Sequence, residues 1–456
     1  MPDANEPFGR VAALALTHPD HRTLLRFIAC GSVDDGKSTL LGRLLHESGN
    51  IADDQRATLA ADSRKVGTRG NDTDYALLLD GLSAEREQGI TIDVAYRYFS
   101  TARRKFIVAD TPGHEQYTRN MVTGASCADL AIVLVDARKG VLTQTRRHSY
   151  IVALLGVRHV VLAVNKMDLV GYSREIFDTL AAEYREFARQ VGIADVVAIP
   201  TSAILGDNII APRGTTPWYQ GPMLLEHLES VAVEDVLQAQ PLRMPVQWVN
   251  RPDLDFRGYA GTIVSGVVRP GDRIRIEPSN AASRVARIVT ADGDLPFAVA
   301  NQAVTLTLAD ERDVSRGDVI CADDDPVQAA DQFEAALVWM DAAPMLRGRG
   351  YLMKLGTRTV NATIAPLKYK VNVNTLEHVA ADTLALNEIG ICDLELDRAV
   401  AFEAYAANRD LGGFILIDRM TNNTVGAGML RFALRRSRNI SWQSFDIDKS
   451  TRAMFK

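Results

Sequence analysis

The segment with the strongest chemical signature is a glycine-rich loop near the amino end of the chain. It has the spacing G-x-x-x-x-G-K-[ST] and consists of Gly31, Ser32, Val33, Asp34, Asp35, Gly36, Lys37 and Ser38. The loop follows an apolar run and opens a helical pattern, which is the context that such a loop requires. Its backbone N–H groups can wrap phosphates, Lys37 can reach the terminal phosphates, and Ser38 can bind Mg²⁺. We therefore predict a binding site for a nucleoside triphosphate and magnesium.

A second motif closes a later apolar run and consists of Asp110, Thr111, Pro112, Gly113 and His114. An acidic residue at the end of a neighbouring strand can hold magnesium through a water molecule, which predicts that role for Asp110. Gly113 lets the backbone approach the terminal phosphate. Alone, the motif is equally compatible with an ordinary strand-to-helix turn. Behind a phosphate-binding loop, the functional interpretation is favoured.

A third motif predicts which base is bound, and it consists of Asn165, Lys166, Met167 and Asp168. The Asp168 carboxylate can accept hydrogen bonds from guanine N1–H and from the 2-amino group. Adenine has neither donor, so it would leave the acid desolvated at a cost of several kcal/mol. Ser202 and Ala203 end a further apolar run and are predicted to support the base through backbone N–H groups. The sequence therefore predicts GTP as the nucleotide.

Between the first two motifs lies the segment EREQGITI, residues 85–92. Thr91 is placed to bind magnesium only while the terminal phosphate is present, as in an order–disorder switch. The alternative is an exposed polar helix that runs into an edge strand. With Ser38 and Asp110, Thr91 completes the predicted metal-binding set.

The elements that must position these motifs alternate between strand and helix. Five apolar runs indicate buried strands: LLRFIAC, KFIVAD, LAIVLVDA, HVVLAVNK and VVAIPTS. Four stretches between them have helical character: STLLGRLLHES, EQYTRNMVTGAS, TQTRRHSYIVALL and SREIFDTLAAEYREFARQ. This alternation predicts a doubly wound α/β domain with a parallel sheet. Ligands bind at the carboxyl ends of such strands, where the motifs lie.

The pattern changes to short strands separated by glycine and Pro-Gly turns from about residue 241. We predict two small β-barrels behind a P-loop GTPase domain. The predicted boundaries are an N-terminal arm at 1–22, the GTPase domain at 23–232, barrels at 240–328 and 331–436, and a polar tail at 437–456. Trp218 and Tyr219 are expected to anchor the last helix of the first domain onto the barrels.

Composition excludes several classes of protein. The 456 residues carry a net charge of −6, with 51 Lys and Arg against 57 Asp and Glu, so a nucleic-acid partner has no electrostatic support. The four cysteines are widely spaced and indicate free thiols, with Cys127 expected to be buried. No apolar run approaches the ~20 residues that cross a bilayer. We expect a cytoplasmic protein with no membrane partner.

With these motifs in order, the chain resembles the translation-factor GTPases, of which GITI before DTPGH is the mark. Longer segments resemble the large, GTP-binding subunits of bacterial sulfate adenylyltransferases. Examples are GSVDDGKSTLLGRLL, LLLDGLSAEREQGITIDVAYRYF, ADTPGHEQYTRNMVTGAS, VNRPDLDFRGYAGTIVSGVV and GGFILIDRMTNNTVGAGM. The resemblance covers about residues 20–440.

The resemblance implies a function that spacing alone does not. Such subunits hydrolyse GTP to drive the formation of adenosine 5′-phosphosulfate and pyrophosphate from ATP and sulfate, in sulfate assimilation. A smaller second subunit performs the adenylyl transfer in a heteromer of unspecified stoichiometry. The family pattern makes His114 the residue that positions the attacking water. The surface that senses the nucleotide is expected to include the GTPase domain and at least one barrel.

Two other functions are weighed against this one. A translation factor that delivers aminoacyl-tRNA shares the fold, but the acidic balance and the longer segments argue against it. A self-sufficient ATP sulfurylase would need an ATP site, and the sequence has no second nucleotide-binding glycine loop. The HxxH pair His18 and His21 has no third ligand nearby and is assigned no role.

The tail RRSRNISWQSFDIDKSTRAMFK resembles the segment that leads into an adenylylsulfate kinase domain in fused relatives. The chain is therefore either a free-standing subunit or part of a fusion. We favour the free-standing subunit.

Overall fold

The parallel sheet of the first domain carries the predicted site at its carboxyl edge. The computed structural model describes residues 23–49, 59, 63, 73–79, 91–233, 235–253 and 256–434. The N-terminal arm with His18 and His21, residues 85–90 of the predicted switch and the tail 437–456 lie outside these residues.

Six strands form the sheet in the order β2-β3-β1-β4-β5-β6. They are β1 Thr23–Gly31, β2 Ala95–Ser100, β3 Arg104–Asp110, β4 Leu130–Asp136, β5 His159–Asn165 and β6 Asp195–Pro200. Strands β1, β3, β4, β5 and β6 pair in parallel, whereas β2 pairs antiparallel with β3 at the edge. The five apolar runs are confirmed as strands. Strand β2 was not among them, because at the edge its residues alternate between exposed and partly buried.

Helices cover both faces of the sheet. They are α1 Lys37–Glu47, α2 Thr118–Ser126, α3 Thr143–Leu154, α4 Arg174–Gln190, α5 Leu224–Ser230 and α6 Asp235–Gln238. Three short 3₁₀ helices occupy Tyr75–Leu78, Glu115–Tyr117 and Met167–Val170. In α4 the Ser173 side chain accepts from Ile176 N–H and caps the helix. Its buried side chains recur at helical spacing, as at Phe177, Leu180 and Tyr184, so one face packs onto the sheet.

The second part of the chain forms two closed barrels. In each barrel six strands form a closed ring, because the first and the sixth strand of the ring also pair with each other. The strands of the first barrel region are β7 Arg243–Asn250, β8 Gly258–Thr262, β9 Val267–Val268, β10 Arg273–Glu277, β11 Ala281–Thr290, β12 Gly293–Asp294, β13 Ala298–Val299, β14 Ala303–Leu308 and β15 Val319–Ala322. Those of the second are β16 Gln328–Trp339, β17 Gly350–Leu355, β18 Arg358–Val371, β19 His378–Val379, β20 Ile389–Phe402, β21 Gly413–Ile417 and β22 Thr424–Ala433, with the short helix α7 Arg409–Gly412. The predicted fold class is confirmed.

Two smaller expectations turn out differently. Trp218 packs against Phe177 of α4 and donates from Nε1 to the Tyr172 carbonyl at 3.1 Å, so it anchors its segment within the GTPase domain and not onto the barrels. All four cysteines are free, as predicted, but Cys127 is exposed because it follows the last turn of α2. Among the helices of the described residues, none is long and apolar enough to cross a membrane.

Candidate nucleotide-binding site

The glycine-rich loop connects β1 to α1 in a conformation that needs glycine. Gly36 has φ 93° and ψ 28° immediately before α1, a left-handed geometry that side chains with a Cβ disfavour. Lys37 is 7% exposed, and its Nζ donates to the Ser32 carbonyl at 2.8 Å and to the Gly31 carbonyl at 3.4 Å. Burial lowers the pKa of Lys37, although Asp110 and Asp35 act in the opposite direction. The loop therefore holds the ammonium group of Lys37 against its own backbone carbonyls.

The three predicted metal-binding residues meet at one corner of the loop. Ser38 Oγ donates to Asp110 Oδ2 at 2.8 Å and lies 3.3 Å from Thr91 Oγ1. Thr91 Oγ1 donates to the same Asp110 oxygen at 3.4 Å. Two hydroxyl oxygens and one carboxylate oxygen are the hard ligands that Mg²⁺ prefers. Residues from three separate segments are thus brought together as the motifs predict.

The loop after β3 lies directly against the phosphate-binding loop. A Cβ on Gly113 would be 2.4 Å from Lys37 Nζ and 3.0 Å from Val33 N, so only glycine fits. Thr111 Oγ1 donates to the Ala29 carbonyl of β1 at 2.6 Å, and Pro112 is buried. These contacts fix the loop where terminal phosphates would lie.

The His114 side chain is exposed and caps the short helix that follows it. Its Nδ1 accepts from Gln116 N–H at 3.3 Å. The backbone of His114 is therefore next to the phosphate-binding corner, while its ring is engaged by its own turn.

Asn165 connects the base side of the site to the phosphate side. Its Nδ2 donates to the Asp35 carbonyl at 2.7 Å, and its Oδ1 accepts from Ala203 N–H at 2.9 Å. Because the side chain is buried, both hydrogen bonds are shielded from water. The Ala203 N–H predicted to face the base is thus used within the protein, and Ser202 Oγ accepts from Leu205 N–H at 3.2 Å.

The Asp168 carboxylate presents an acceptor with no donor among the described residues. Its Oδ1 is shielded from solvent and makes no hydrogen bond within the part of the chain that the structure describes. The neighbouring Lys166 Nζ donates to the Asp34 carbonyl at 2.5 Å, and Met167 is fully buried. Such an oxygen is suited to a ligand that brings its own N–H donors.

Two residues that sequence reasoning did not single out support the site. Asp136 is buried at the end of β4; burial would raise its pKa, but hydrogen bonds from Arg138 and Lys166 outweigh this effect and hold the pKa well below its usual range. Arg43 of α1 donates from Nη1 to the Ile204 carbonyl at 2.9 Å and from Nη2 to the Leu205 carbonyl at 3.2 Å. The acid at the end of an apolar strand was a usable signal for Asp136, whereas the role of Arg43 depends on tertiary contact.

Three family models match successive parts of the chain. The elongation factor Tu GTP binding domain matches residues 22–242, elongation factor Tu domain 2 matches residues 259–321, and the GTP-eEF1A C-terminal domain-like family matches residues 332–431. These matches follow the order of the α/β domain and the two barrels.

Relatives of high identity extend over nearly the whole chain. The bifunctional enzyme CysN/CysC of Xylella fastidiosa is 58% identical over 97% of this chain and 71% of its own length. The bifunctional enzyme NodQ of Rhizobium sp. strain N33 is 56% identical over 97% of this chain and 68% of its own length. Sulfate adenylyltransferase subunit 1 of Aeromonas salmonicida is 55% identical over 90% of this chain and 87% of its own length.

Proposed function

The chain belongs to the family of sulfate adenylyltransferase subunit 1, built on the elongation factor Tu type of GTP-binding domain, and we propose that it binds and hydrolyses GTP at the site described above. In this role it is the regulatory subunit of sulfate adenylyltransferase in sulfate assimilation. The observation that carries the proposal is that one site has a metal-binding corner at one end and a base-binding acceptor at the other. Ser38, Thr91 and Asp110 converge at the phosphate end, and Asp168 offers a shielded acceptor at the base end.

At the phosphate end, Lys37 and the backbone of residues 31–38 bind the β- and γ-phosphates. The oxygens of Ser38 and Thr91 would bind Mg²⁺ directly and Asp110 would bind it through water, so that the ion neutralises phosphate charge. The His114 side chain orients a water molecule toward the γ-phosphorus. The water oxygen bonds to that phosphorus as the bond to the β–γ bridging oxygen breaks, which yields GDP, phosphate and a proton.

At the base end, Asp168 accepts from guanine N1–H and from the 2-amino group. Asn165 holds the loop that carries Ser202 and Ala203 in register with the phosphate-binding loop. The selection of guanine thus depends on a buried acceptor that adenine leaves without a donor.

The adenylyl transfer itself belongs to the partner, which we propose is the smaller catalytic subunit of the same enzyme. On that subunit a sulfate oxygen attacks the α-phosphorus of ATP and pyrophosphate leaves, which forms adenosine 5′-phosphosulfate. GTP hydrolysis on this chain drives the reaction through a change in the loops at Thr91 and His114. A translation-factor role rests on the shared fold alone.

Nucleotide competition on the purified chain tests the first half of this proposal. A fluorescent guanine nucleotide should be displaced by GTP and GDP, and by ATP only at concentrations at least about 100-fold higher. Equal displacement by ATP and GTP would contradict the proposed specificity. Filter binding with aminoacyl-tRNA, set against co-purification of an adenylyl-transferring subunit, tests the second half; tight tRNA binding without such a subunit would contradict it.

A further inference from the structure

A fully buried imidazole lies beneath the first residue of the phosphate-binding loop. His148 is 0% exposed and projects from α3, and its Nδ1 accepts from Gly31 N–H at 3.2 Å. On its other side, its Nε2 lies 2.8 Å from the side-chain amide of Gln144, one turn earlier on the helix. No motif includes His148, although it joins a helix of the domain to the nucleotide site.

The protonation of the ring follows from these contacts. Because Gly31 N–H donates to Nδ1, the ring proton resides on Nε2, and the Gln144 amide must present its oxygen. Burial, reinforced by the positive charges of Lys37 and Arg147, lowers the pKa of His148 to about 3. The imidazole is therefore neutral at physiological pH, with Nδ1 as a permanent acceptor.

Gly31 occupies a position that only glycine fits. Its φ is 150°, and a Cβ at this position would lie 2.7 Å from the Leu134 carbonyl oxygen of β4. Its own carbonyl accepts from Lys37 Nζ at 3.4 Å. His148 thus accepts a hydrogen bond from the N–H of Gly31. The carbonyl of Gly31 in turn accepts from Lys37, the residue that is expected to contact the phosphates.

We infer that His148 is a positioning residue for nucleotide binding, which acts by fixing Gly31 and, through it, Lys37. The inference rests on the proposed function, since it concerns affinity for guanine nucleotides at the same site. The imidazole does not touch the nucleotide in this account. What matters is a single acceptor atom at the position of Nδ1, rather than the ring that carries it.

Two substitutions separate the two faces of the ring. His148→Asn places an oxygen two bonds from Cβ, where histidine carries Nδ1, so it retains the acceptor for Gly31 N–H. His148→Gln places its amide nitrogen three bonds from Cβ, near the position of Nε2, so it can still donate to the Gln144 oxygen, but it loses the acceptor for Gly31 N–H. Ser149→Ala is the matched control, because Ser149 is also buried on α3 but pairs with Tyr184 Oη at 2.9 Å, away from the loop.

The measurements are the dissociation constants of GDP and GTP and the thermal unfolding midpoint without nucleotide. All three variants should unfold at a lower temperature than the unaltered chain, since each loses one buried hydrogen bond. Only His148→Gln should lose affinity, by about tenfold for both nucleotides, because it leaves the Gly31 N–H without its acceptor. His148→Asn and Ser149→Ala should stay within about threefold of the unaltered protein.

Loss of affinity in His148→Asn equal to that in His148→Gln would overturn the inference, as would unchanged affinity in His148→Gln. If the glutamine variant does not fold, His148→Leu, which also lacks an acceptor for the Gly31 N–H, takes its place in the comparison with His148→Asn. An unaltered chain that binds no guanine nucleotide would instead refute the proposed function, so the two failures are distinguishable.

Discussion

The base recognition that we propose depends on one carboxylate oxygen of Asp168. Asp168 Oδ1 is shielded from solvent and accepts no hydrogen bond within the described residues. Asp168→Asn replaces one acceptor oxygen with an N–H donor. Guanine presents donors at both N1–H and the 2-amino group, so the new donor faces another donor. Xanthine presents an N1–H donor and an O2 acceptor, an edge with which the amide can pair. We expect GTP affinity to fall about 100-fold and affinity for xanthosine triphosphate to rise.

Competition between the two nucleotides for the Asp168→Asn variant measures this exchange. Asp178→Asn is the control, since that carboxylate is exposed on α4 and pairs with Arg174 one turn earlier on the same helix. A variant that keeps its preference for GTP would show that another group reads the base.

The role that we propose for His114 gives a separate prediction. His114→Ala should leave GDP affinity within about twofold, because the ring is exposed and turned to its own Gln116 N–H. Hydrolysis should fall by about 10- to 1,000-fold, since water positioning acts in the transition state. Single-turnover GTP hydrolysis in the assembled enzyme measures the effect.

The matched control is His159→Ala, which removes an imidazole paired with Asp195 at the amino end of β5, on the opposite edge of the sheet. Unaltered hydrolysis by the His114 variant would mean that a different residue orients the water.

The sequence predicts the residues assigned to nucleotide binding better than it predicts the residues that position them. Ser38, Thr91 and Asp110 could be placed together from motif chemistry, because each residue type has one plausible task at its position. His148 and Arg43 could not, since both occupy ordinary positions in helical patterns. Their roles arise only because the fold brings one to Gly31 N–H and the other to two carbonyls of a distant loop.

At the level of elements, α1 links the phosphate end of the site to the base end. It begins at Lys37, and six residues later Arg43 holds the carbonyls of Ile204 and Leu205. The guanidinium is further fixed by Glu47 Oε1 at 2.6 Å and by the Tyr75 ring at 4.8 Å. One helix therefore sets the spacing between the phosphate-binding loop and the loop after β6.

Arg43→Met tests this link, because methionine keeps the apolar stem and removes the donors. We expect guanine-nucleotide affinity to fall about five- to tenfold, while the hydrolysis rate at saturating GTP is unchanged. Arg174→Met, at an exposed position on α4, is the control. If Arg43→Met folds and binds GTP with unchanged affinity, the loop must be held by other contacts.

Some elements can be predicted from the sequence pattern, whereas others depend on tertiary contacts. The ends of strand β4 could be predicted to within one residue. All seven of its residues are buried, which produces an uninterrupted apolar run. The edge strand β2 gives no such run, since neighbours cover it on one side only. Segment 202–223 has no period, and its fold depends on specific contacts such as that of Trp218 with Phe177.

At the level of the whole molecule, the second barrel contacts the GTPase domain in two places, at the loops that precede β4 and β5 and at the loop that follows β3. Tyr405 Oη donates to the Leu155 carbonyl at 3.1 Å, and Arg409 donates to the carbonyls of Ala128 and Gly156. Asn387 Nδ2 donates to the Glu115 carbonyl at 2.9 Å, one residue after His114. A barrel therefore contacts the loop that we expect to respond to the γ-phosphate.

The two barrels are also joined to each other by a buried charge. Arg243 of β7 is 4% exposed and pairs with Asp325 and with Glu403, which follows β20. The contact at Glu115 joins the second barrel to the GTPase domain, and the contact at Glu403 joins the second barrel to the first. Binding linkage is reciprocal, so a partner that grips this surface more tightly in the GTP state must strengthen GTP binding by the same factor. Composition and periodicity carry no information on such docking.

The most direct test of the account is the formation of adenosine 5′-phosphosulfate by this chain mixed with its adenylyl-transferring partner. ATP and sulfate are supplied with GTP, with GDP, with a non-hydrolysable GTP analogue or with no guanine nucleotide, and each subunit is also assayed alone. The account predicts product from the mixture well above background with GTP only, and none from this chain by itself. Synthesis by this chain alone, or synthesis by the mixture that does not depend on the guanine nucleotide, would contradict it.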